Sequence, residues 1–276
     1  MRYAIVCCVF LAVCLLAGWL ITRGLARWRR ARWSRPRKAA LSELFACVLL
    51  CAGTFCYLSV YYHADDVALD ALESDTTVHV DAVEGGYHFD GPGTQATLVF
   101  LPGAKVQATA YAPLMHRMAA QGADCYLVDP PCNFPLFGAS QARKMMVKSS
   151  SPALLVGGHS LGGVVATSLV GSSNGQVDGI VLLASIPTKE LDDGVALFSA
   201  VGTNDGVLNR DSYEKSKDLW PTRSTELLIE GGNHAGFGCY GPQRGDGDPT
   251  IDAAEQQRQT ADGLASFVEQ IVLASK

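Results

Sequence analysis

Ser160 lies in the sequence Gly-His-Ser-Leu-Gly, between two apolar segments of the chain. Residues 153–157 have the length and composition of a buried strand, and those from Leu161 onward have the pattern of a helix. A turn this tight needs small residues two positions before and after the serine, which Gly158 and Gly162 provide. The segment predicts a strand–turn–helix unit that presents the Ser160 hydroxyl as a nucleophile; the alternative is an ordinary tight turn.

Strand-like and helix-like segments alternate from residue 78 onward. Strands are expected at 78–83, 87–89, 96–101, 124–128, 153–158, 179–185, 195–201 and 225–229, and helices near 111–118, 139–148, 161–170, 211–219 and 264–272. Such alternation predicts an α/β fold with a mostly parallel, doubly wound sheet. Active sites of these sheets lie at the carboxyl ends of the strands, so the reactive residues are expected in the loops that follow them.

Two residues further along the chain complete a candidate catalytic group. A serine hydroxyl needs a base, and His234, just past the last expected strand, is the only histidine after Ser160. Asp205 follows the preceding strand and is the expected acid; its alternative role is an Asx turn. Asp192 and Asp193 are weaker candidates, because they precede that strand and would reach the wrong end of the sheet.

Two backbone N–H groups are expected to stabilise an oxyanion beside the serine. The turn points the N–H of Leu161 at the reacting carbonyl, and the loop after the strand at 96–101 is expected to supply a second donor. Gly103 lets that loop turn tightly, and the N–H of Ala104 is the expected donor. Lys105 is expected to be solvated, and the side chain of His159 to leave the turn in another direction than a base requires.

The N-terminal part of the chain is expected to insert into a lipid bilayer. Residues 3–21 and 44–62 are uncharged runs of 19 residues each, and a helix of that length spans about 28 Å. We therefore expect a two-helix transmembrane hairpin in residues 1–62, with bilayer contact through residues 3–21 and 41–62. The alternatives are buried core helices or, for the first run, a cleaved signal peptide.

A basic loop, residues 22–40, separates the two apolar runs. It carries eight positive charges and no acid, and such loops are held on the cytoplasmic side during insertion. We therefore expect a multi-pass protein of the cell membrane with residues 63–276 outside. Within these, residues 63–77 are expected to form a stalk and residues 78–276 the catalytic domain.

The charge distribution disfavours a nucleic-acid partner. Residues 1–62 hold nine of the 22 basic and one of the 27 acidic residues, so residues 63–276 carry a net charge of −13. An acidic domain repels nucleic acid. The basic loop would suit such a partner by charge alone, but its position between two expected membrane spans makes that role unfavourable.

Several segments resemble the α/β-hydrolase family whose members are similar to dienelactone hydrolases. They are Leu-Pro-Gly-Ala-Lys-Val at 101–106, Tyr-Ala-Pro-Leu at 111–114, Gly-His-Ser-Leu-Gly-Gly at 158–163, Glu-Gly-Gly-Asn-His-Ala at 230–235, Phe-Gly at 237–238 and Tyr-Gly-Pro-Gln at 240–243. The resemblance covers roughly residues 60–275. It implies an α/β-hydrolase fold and a serine hydrolase without a cofactor, but no particular substrate. It also implies one antiparallel strand near the start of the sheet, which we assign to residues 78–83.

Two cysteines mark departures from that family's pattern. Cys132 lies in Pro-Pro-Cys-Asn where Met-Pro-Phe-Asn is usual, and Cys239 stands where an acidic residue is usual. Both follow strands at the catalytic end of the sheet, and an extracytoplasmic domain meets an oxidising environment. Their shared position suggests a disulfide that ties down the loop of His234; the alternative is two separate thiols, because the sequence does not show whether the two Cα atoms lie within about 7 Å.

The combined pattern predicts hydrolysis of an ester or related acyl bond in a small acyl substrate. The alternatives are acyl transfer by the same residues and a catalytically inactive, membrane-tethered binding module. No metal site is expected. Only residues 186–194 separate two consecutive strands where such folds usually insert a lid, so an open site is expected. The substrate itself is not predicted, because a fold of this kind hosts many activities.

Overall fold

Two compact units make up the chain in the computed structural model, Met1–Val60 and Tyr61–Lys276. The structure describes residues 2–29, 33–93, 95–149, 151–173 and 175–274. The first unit contains two helices, and the second contains an eight-stranded sheet with helices on both faces.

The helices of the first unit are α1 (Arg2–Trp28) and α2 (Arg35–Ser59). They approach closely at Gly18, where an added Cβ would lie 2.4 Å from the carbonyl oxygen of Ser42. The segment Leu11–Trp28 and the whole of α2 are long and apolar enough to cross a membrane, and few of their residues are buried. A signal sequence near the N-terminus shares these properties, so the helices alone do not separate the two possibilities.

The sheet of the second unit has the strand order β1-β2-β4-β3-β5-β6-β7-β8. Its strands are β1 (His79–Val83), β2 (Gly86–Asp90), β3 (Ala96–Leu101), β4 (Ala123–Val128), β5 (Ala153–His159), β6 (Gly179–Leu183), β7 (Ala196–Gly202) and β8 (Ser224–Ile229). From β4 to β8 in this spatial order, all neighbours pair in parallel. The expected α/β-hydrolase architecture, with a mostly parallel sheet, is therefore confirmed.

The assignment of the antiparallel strand to residues 78–83 is wrong. β2 pairs antiparallel with both β1 and β4, so β2 is the strand that runs against the others. The reason is a two-residue hairpin turn between Val83 and Gly86, in which Gly85 has a φ of 86°. The hairpin adds a second reversal, which returns β1, at the sheet edge, to the common direction.

Helices cover both faces of the sheet and enclose two hydrophobic cores. They are α3 (Asp66–Asp70), α4 (Ala112–Ala120), α5 (Ala139–Lys148), α6 (Leu161–Val170), α7 (Arg210–Ser216) and α8 (Ala253–Ala274), with short 3₁₀ turns at 108–111, 131–133, 135–138, 217–219 and 235–237. On β3, Leu98 and Phe100 belong to the core of α4 and α8. Val99 and Leu101 belong to the core of α5 and α6. Successive side chains of a strand point to opposite faces, so the two cores lie on opposite sides of the sheet.

Residues 63–77, expected to form a stalk, fold onto the surface of the second unit. The Asp65 N–H donates to the carbonyl oxygen of Cys239 (3.0 Å), and the Asp65 side chain caps α3 by accepting from the Ala68 N–H (3.0 Å). Ala68 is fully buried. The polar composition of this segment therefore reflects a capped surface helix rather than an extended linker.

The connection between β6 and β7 is a loop without a helix, and all its residues, 184–195, are described. Within this stretch no helical cap covers the carboxyl end of the sheet. The connection between β6 and β7 is too short to form a packed pair of helices, as the number of residues between the two expected strands indicated.

Candidate active site

Ser160 stands in the turn between β5 and α6 with a φ of 51° and a ψ of −121°. A non-glycine residue is rarely found in this strained region, and such strain concentrates at functional sites. Neighbouring segments fix its backbone from both sides. The Ser160 N–H donates to the carbonyl oxygen of Leu183 (2.9 Å), and the Ser185 hydroxyl donates to the Ser160 carbonyl oxygen (2.7 Å). The end of β6 therefore holds the turn in place.

Two glycines make this turn sterically possible. A Cβ at Gly158 would lie 2.4 Å from the carbonyl carbon of Gly162. A Cβ at Gly162 would lie 2.3 Å from the carbonyl oxygen of Leu101, at the end of β3. Both distances are shorter than any real Cβ contact, so the small residues expected from the sequence are required by the packing of the turn itself.

His234 and Asp205 form a buried pair on the loops after β8 and β7. The Nδ1 atom of His234 lies 2.9 Å from Oδ2 of Asp205, and their side chains are 2% and 0% exposed. A neutral imidazole that donates from Nδ1 keeps a lone pair on Nε2. Among the described residues, no group bonds to that Nε2. The pair is therefore arranged to accept a proton at Nε2.

The second oxygen of Asp205 is also satisfied. Its Oδ1 accepts the N–H groups of Val207 (2.9 Å) and Leu208 (2.8 Å). Burial alone would raise the pKa of Asp205, but the hydrogen bond and charge of His234 and the two N–H groups outweigh it and lower the pKa below 3.8. Asp205 is therefore ionised at neutral pH and orients the imidazole as a carboxylate.

The two weaker candidates for the acid lie elsewhere. Asp192 accepts the N–H of Gly194 (2.8 Å), and Asp193 accepts the N–H of Thr222 (2.8 Å). Both belong to the loop before β7, whereas Asp205 follows that strand. The structure thus pairs His234 with the aspartate that the strand order favours.

His159 places the serine turn beside His234. It immediately precedes Ser160, and its ring centroid lies 4.4 Å from that of His234. His159 is itself fully buried, and its Nδ1 lies 2.8 Å from the hydroxyl oxygen of Tyr111. Burial, followed by the charge of His234, holds the pKa of His159 well below 6.5. It is therefore neutral and part of the support of the site.

Tyr111 links His159 to the loop after β3, residues 102–106, which we call the oxyanion loop. The Gly103 N–H donates to the Tyr111 hydroxyl oxygen (3.0 Å). The Tyr111 hydroxyl therefore bonds to the oxyanion loop and to Nδ1 of His159 at the same time. The sequence placed Tyr111 at the start of an expected helix and in a segment that resembles the hydrolase family, and neither observation indicated this connection.

The two expected oxyanion donors are N–H groups at the start of the oxyanion loop and of α6. Among the described residues, no acceptor bonds to the N–H of Ala104. The next residue, Lys105, has a φ of 60°, and its N–H donates to the carbonyl oxygen of Asn133 (2.7 Å). Leu161 is the first residue of α6, and first-turn N–H groups have no acceptor within their own helix. Both groups are available to a developing negative charge.

The expected disulfide between Cys132 and Cys239 does not form, since both are free thiols. Cys239 is buried, its N–H donates to the Ala110 carbonyl oxygen (2.7 Å), and Gln257 Nε2 lies 3.3 Å from its sulfur. Cys132 is exposed, in a turn with a φ of 59°. The two cysteines lie at the same end of the sheet, but the Cys239 side chain packs inward against α8 and the Cys132 side chain is exposed. The sequence did not indicate this difference in direction. Among the described residues, no cluster of three His, Cys, Asp or Glu suits a metal ion.

Replacing Tyr111 by phenylalanine is expected to destabilise the fold by about 1–3 kcal/mol, because the Gly103 N–H and His159 Nδ1 lose a buried partner. Turnover is expected to fall by about 10-fold, because the oxyanion loop loses an anchor. Thermal unfolding and steady-state kinetics of the full chain measure the two effects.

Tyr213→Phe is the matched control for this variant. Tyr213 is equally buried, and its hydroxyl bonds to Ser199 (2.9 Å) and Glu226 (2.9 Å). We expect a similar loss of stability there with unchanged turnover. Equal losses of turnover in both variants would show that Tyr111 acts only through stability.

Comparisons with known proteins agree with the fold of the second unit. The sequence pattern described as the alpha/beta hydrolase family matches residues 97–259. A comparison with curated proteins finds no significant match. Similar structures include TT1662 from Thermus thermophilus, which is 16% identical with a TM-score of 0.51 over 70% of this chain and 99% of that chain.

Two further structures are similar at the level of the fold. A predicted CIB-like hydrolase from Thermoplasma acidophilum is 15% identical, with a TM-score of 0.50 over 69% of this chain and 98% of that chain. A soluble variant of monoglyceride lipase from Saccharomyces cerevisiae, in complex with a substrate analog, is 10% identical, with a TM-score of 0.52 over 72% of this chain and 96% of that chain.

Proposed function

The chain belongs to the alpha/beta hydrolase family, and on that premise we propose that it is a serine hydrolase that cleaves an ester or related acyl bond. The observation that carries the proposal is the buried His234–Asp205 pair, with 2.9 Å between Nδ1 and Oδ2. The loop of this pair packs against the strained turn of Ser160 through His159. A nucleophile, a base and an orienting acid in this chain order are typical of acyl hydrolysis in this fold.

In the proposed reaction, Oγ of Ser160 attacks the substrate carbonyl while its proton moves to Nε2 of His234. Asp205 remains ionised and stabilises the imidazolium. The negative charge on the carbonyl oxygen is held by the N–H groups of Leu161 and Ala104. The imidazolium then protonates the leaving alcohol, and an acyl-enzyme remains. Water attacks this ester in the same way, which releases the acid and restores the hydroxyl of Ser160.

A fluorophosphonate probe tests this proposal on the full chain in detergent or nanodiscs. We expect one covalent adduct, located on Ser160 by peptide mass. A chain that remains unlabelled would instead support an inactive binding module. Product analysis of a cleaved ester, with and without an added alcohol or amine, then separates hydrolysis from acyl transfer by the same residues.

We further propose that α1 and α2 anchor the enzyme in the cell membrane as two spans. Their length and apolar composition support this, as do the eight positive charges between the apolar runs. In this topology, the basic segment 22–40, which includes the end of α1 and the start of α2, is cytoplasmic and residues 63–276 lie outside.

Protease added to intact cells is expected to digest the hydrolase unit without lysis, because the basic loop keeps only residues 22–40 inside. A C-terminal epitope and a cytoplasmic marker protein, probed in the same cells, report digestion and membrane integrity. Protection of the epitope until lysis would contradict the topology. A mature chain that begins after the first apolar run would instead indicate a cleaved signal peptide.

A further inference from the structure

Asp246 accepts hydrogen bonds from both loops that carry the proposed acid and base. Its Oδ1 accepts the N–H groups of Gly206 (3.0 Å), His234 (3.2 Å) and Gly247 (2.9 Å). Its Oδ2 accepts the N–H of Ala235 (2.8 Å). Gly206 directly follows Asp205, and Ala235 directly follows His234. The single carboxylate of Asp246 therefore links the loop of the acid to the loop of the base.

The segment around Asp246 packs directly against the loop after β7, which carries Asp205. A Cβ at Gly206 would lie 2.7 Å from the N atom of Gly247, and a Cβ at Gly247 would lie 2.0 Å from the carbonyl oxygen of Asn204. The backbone around Gly206 and the backbone around Gly247 are therefore in direct contact, with no room for a side chain between them. This contact fixes the distance between Asp246 and the N–H groups that it accepts.

Other hydrogen bonds join the same loops nearer the strands. The Asn204 N–H donates to the Gly232 carbonyl oxygen (2.8 Å), and the Asn233 side chain donates to the Gly247 carbonyl oxygen (2.9 Å). These contacts hold the loops together where they leave the strands. Three bonds of Asp246, to the N–H groups of Gly206, His234 and Ala235, act at or directly beside the two residues of the His234–Asp205 contact.

We propose that Asp246 is a positioning residue that sets the distance and angle between Asp205 and His234. It reaches the base through the backbone and does not contact the reacting atoms. This inference rests on the proposed triad. A carboxylate suits the role because it accepts at both oxygens without donating, and charge-assisted hydrogen bonds to N–H groups are short and strong. An amide at the same place would turn one N–H₂ group toward an N–H donor.

The test compares Asp246→Asn with Asp248→Asn in the full chain. Asp248 lies two residues away in the same loop and is exposed, and its substitution removes the same charge. We expect kcat to fall about 10-fold in Asp246→Asn and about 100-fold in Asp246→Ala, since small errors in catalytic geometry are costly. KM is expected to stay within about two-fold, because ground-state binding is unaffected. Asp248→Asn is expected to match the wild type.

Proton NMR supplies a readout that a purely structural role does not move. The His234 Nδ1 proton, bonded to a carboxylate, gives a low-field signal that His234→Ala removes. We expect this signal to shift or broaden in Asp246→Asn and to stay unchanged in Asp248→Asn. Thermal unfolding identifies the temperature range in which each variant is folded, and kinetics and spectra are recorded within it.

Three outcomes would overturn the inference. They are a wild-type kcat and signal in Asp246→Asn, equal losses in Asp246→Asn and Asp248→Asn, and loss of the fold in Asp246→Asn at all assay temperatures, which would indicate a structural role only. Failure of the proposed function is distinguishable, because the wild-type chain itself would then fail to react with the fluorophosphonate.

Discussion

Turnover of an activated ester should fall by about 10⁶-fold when Ser160 is replaced by alanine, because no other described group takes the place of its hydroxyl as nucleophile. The fold should persist. Among the described residues, no group bonds to the Ser160 hydroxyl, and its backbone contacts to Leu183 and Ser185 do not involve the side chain. Steady-state kinetics, circular dichroism and thermal unfolding of the full chain measure both parts of this result.

Ser168→Ala is the matched control. Ser168 lies on α6, about two helix turns beyond Ser160, and is exposed, so the same substitution there should leave both turnover and stability unchanged. Retained turnover in Ser160→Ala would contradict the proposed mechanism at its first step. Activity that persists at about 10⁻⁶ of the wild type is expected from binding and oxyanion stabilisation alone.

Replacing His234 by alanine should cost nearly as much as replacing Ser160, about 10⁶-fold, because the hydroxyl then has no proton acceptor. Asp205→Asn should cost about 10⁴-fold. The amide at this position would donate to Nδ1, which moves the imidazole proton to Nε2 and blocks the acceptor. The double variant Ser160→Ala/His234→Ala should be no slower than either single variant, since the residues act as one unit.

A second histidine–aspartate pair provides the control for these substitutions. His116 Nε2 lies 3.7 Å from Asp75 Oδ2, at a partly exposed position on α4. His116→Ala and Asp75→Asn should leave turnover unchanged. Additive losses in the Ser160/His234 double variant, or near wild-type turnover in His234→Ala, would show that His234 is not the base.

The sequence predicted the order and position of most elements because each has a local signature. The strands that carry the site residues, β5, β7 and β8, differ from the predicted spans by one residue at one or both ends. Chain order after Ser160 left one histidine, and strand order favoured Asp205 over Asp192. These inferences needed only the rule that loops after parallel strands meet at one edge of the sheet.

The parts that could not be predicted depend on contacts between distant segments. The Tyr111–His159 bond joins residues 48 positions apart, and Asp246 reaches Gly206 across 40 positions. No periodicity in one sequence records such pairs. The same limit explains two of the errors, since the inward packing of Cys239 separates it from Cys132 and the segment expected as a stalk bonds to the distant Cys239. The direction of β1 was misassigned for a local reason, because the two-residue hairpin turn after Val83 was not recognised.

The place where the chain enters the hydrolase unit restricts how that unit can be released from its N-terminal helices. Tyr62 forms a bridge with the oxyanion loop: its N–H donates to the Lys105 carbonyl oxygen (2.7 Å), and its carbonyl oxygen accepts from the Gln107 N–H (2.9 Å). A cut after Tyr62, or a recombinant fragment that starts at residue 63, leaves the edge of this loop unpaired. A fragment that keeps this bridge therefore begins upstream of Tyr62, within the short stretch that follows the end of α2 at Ser59.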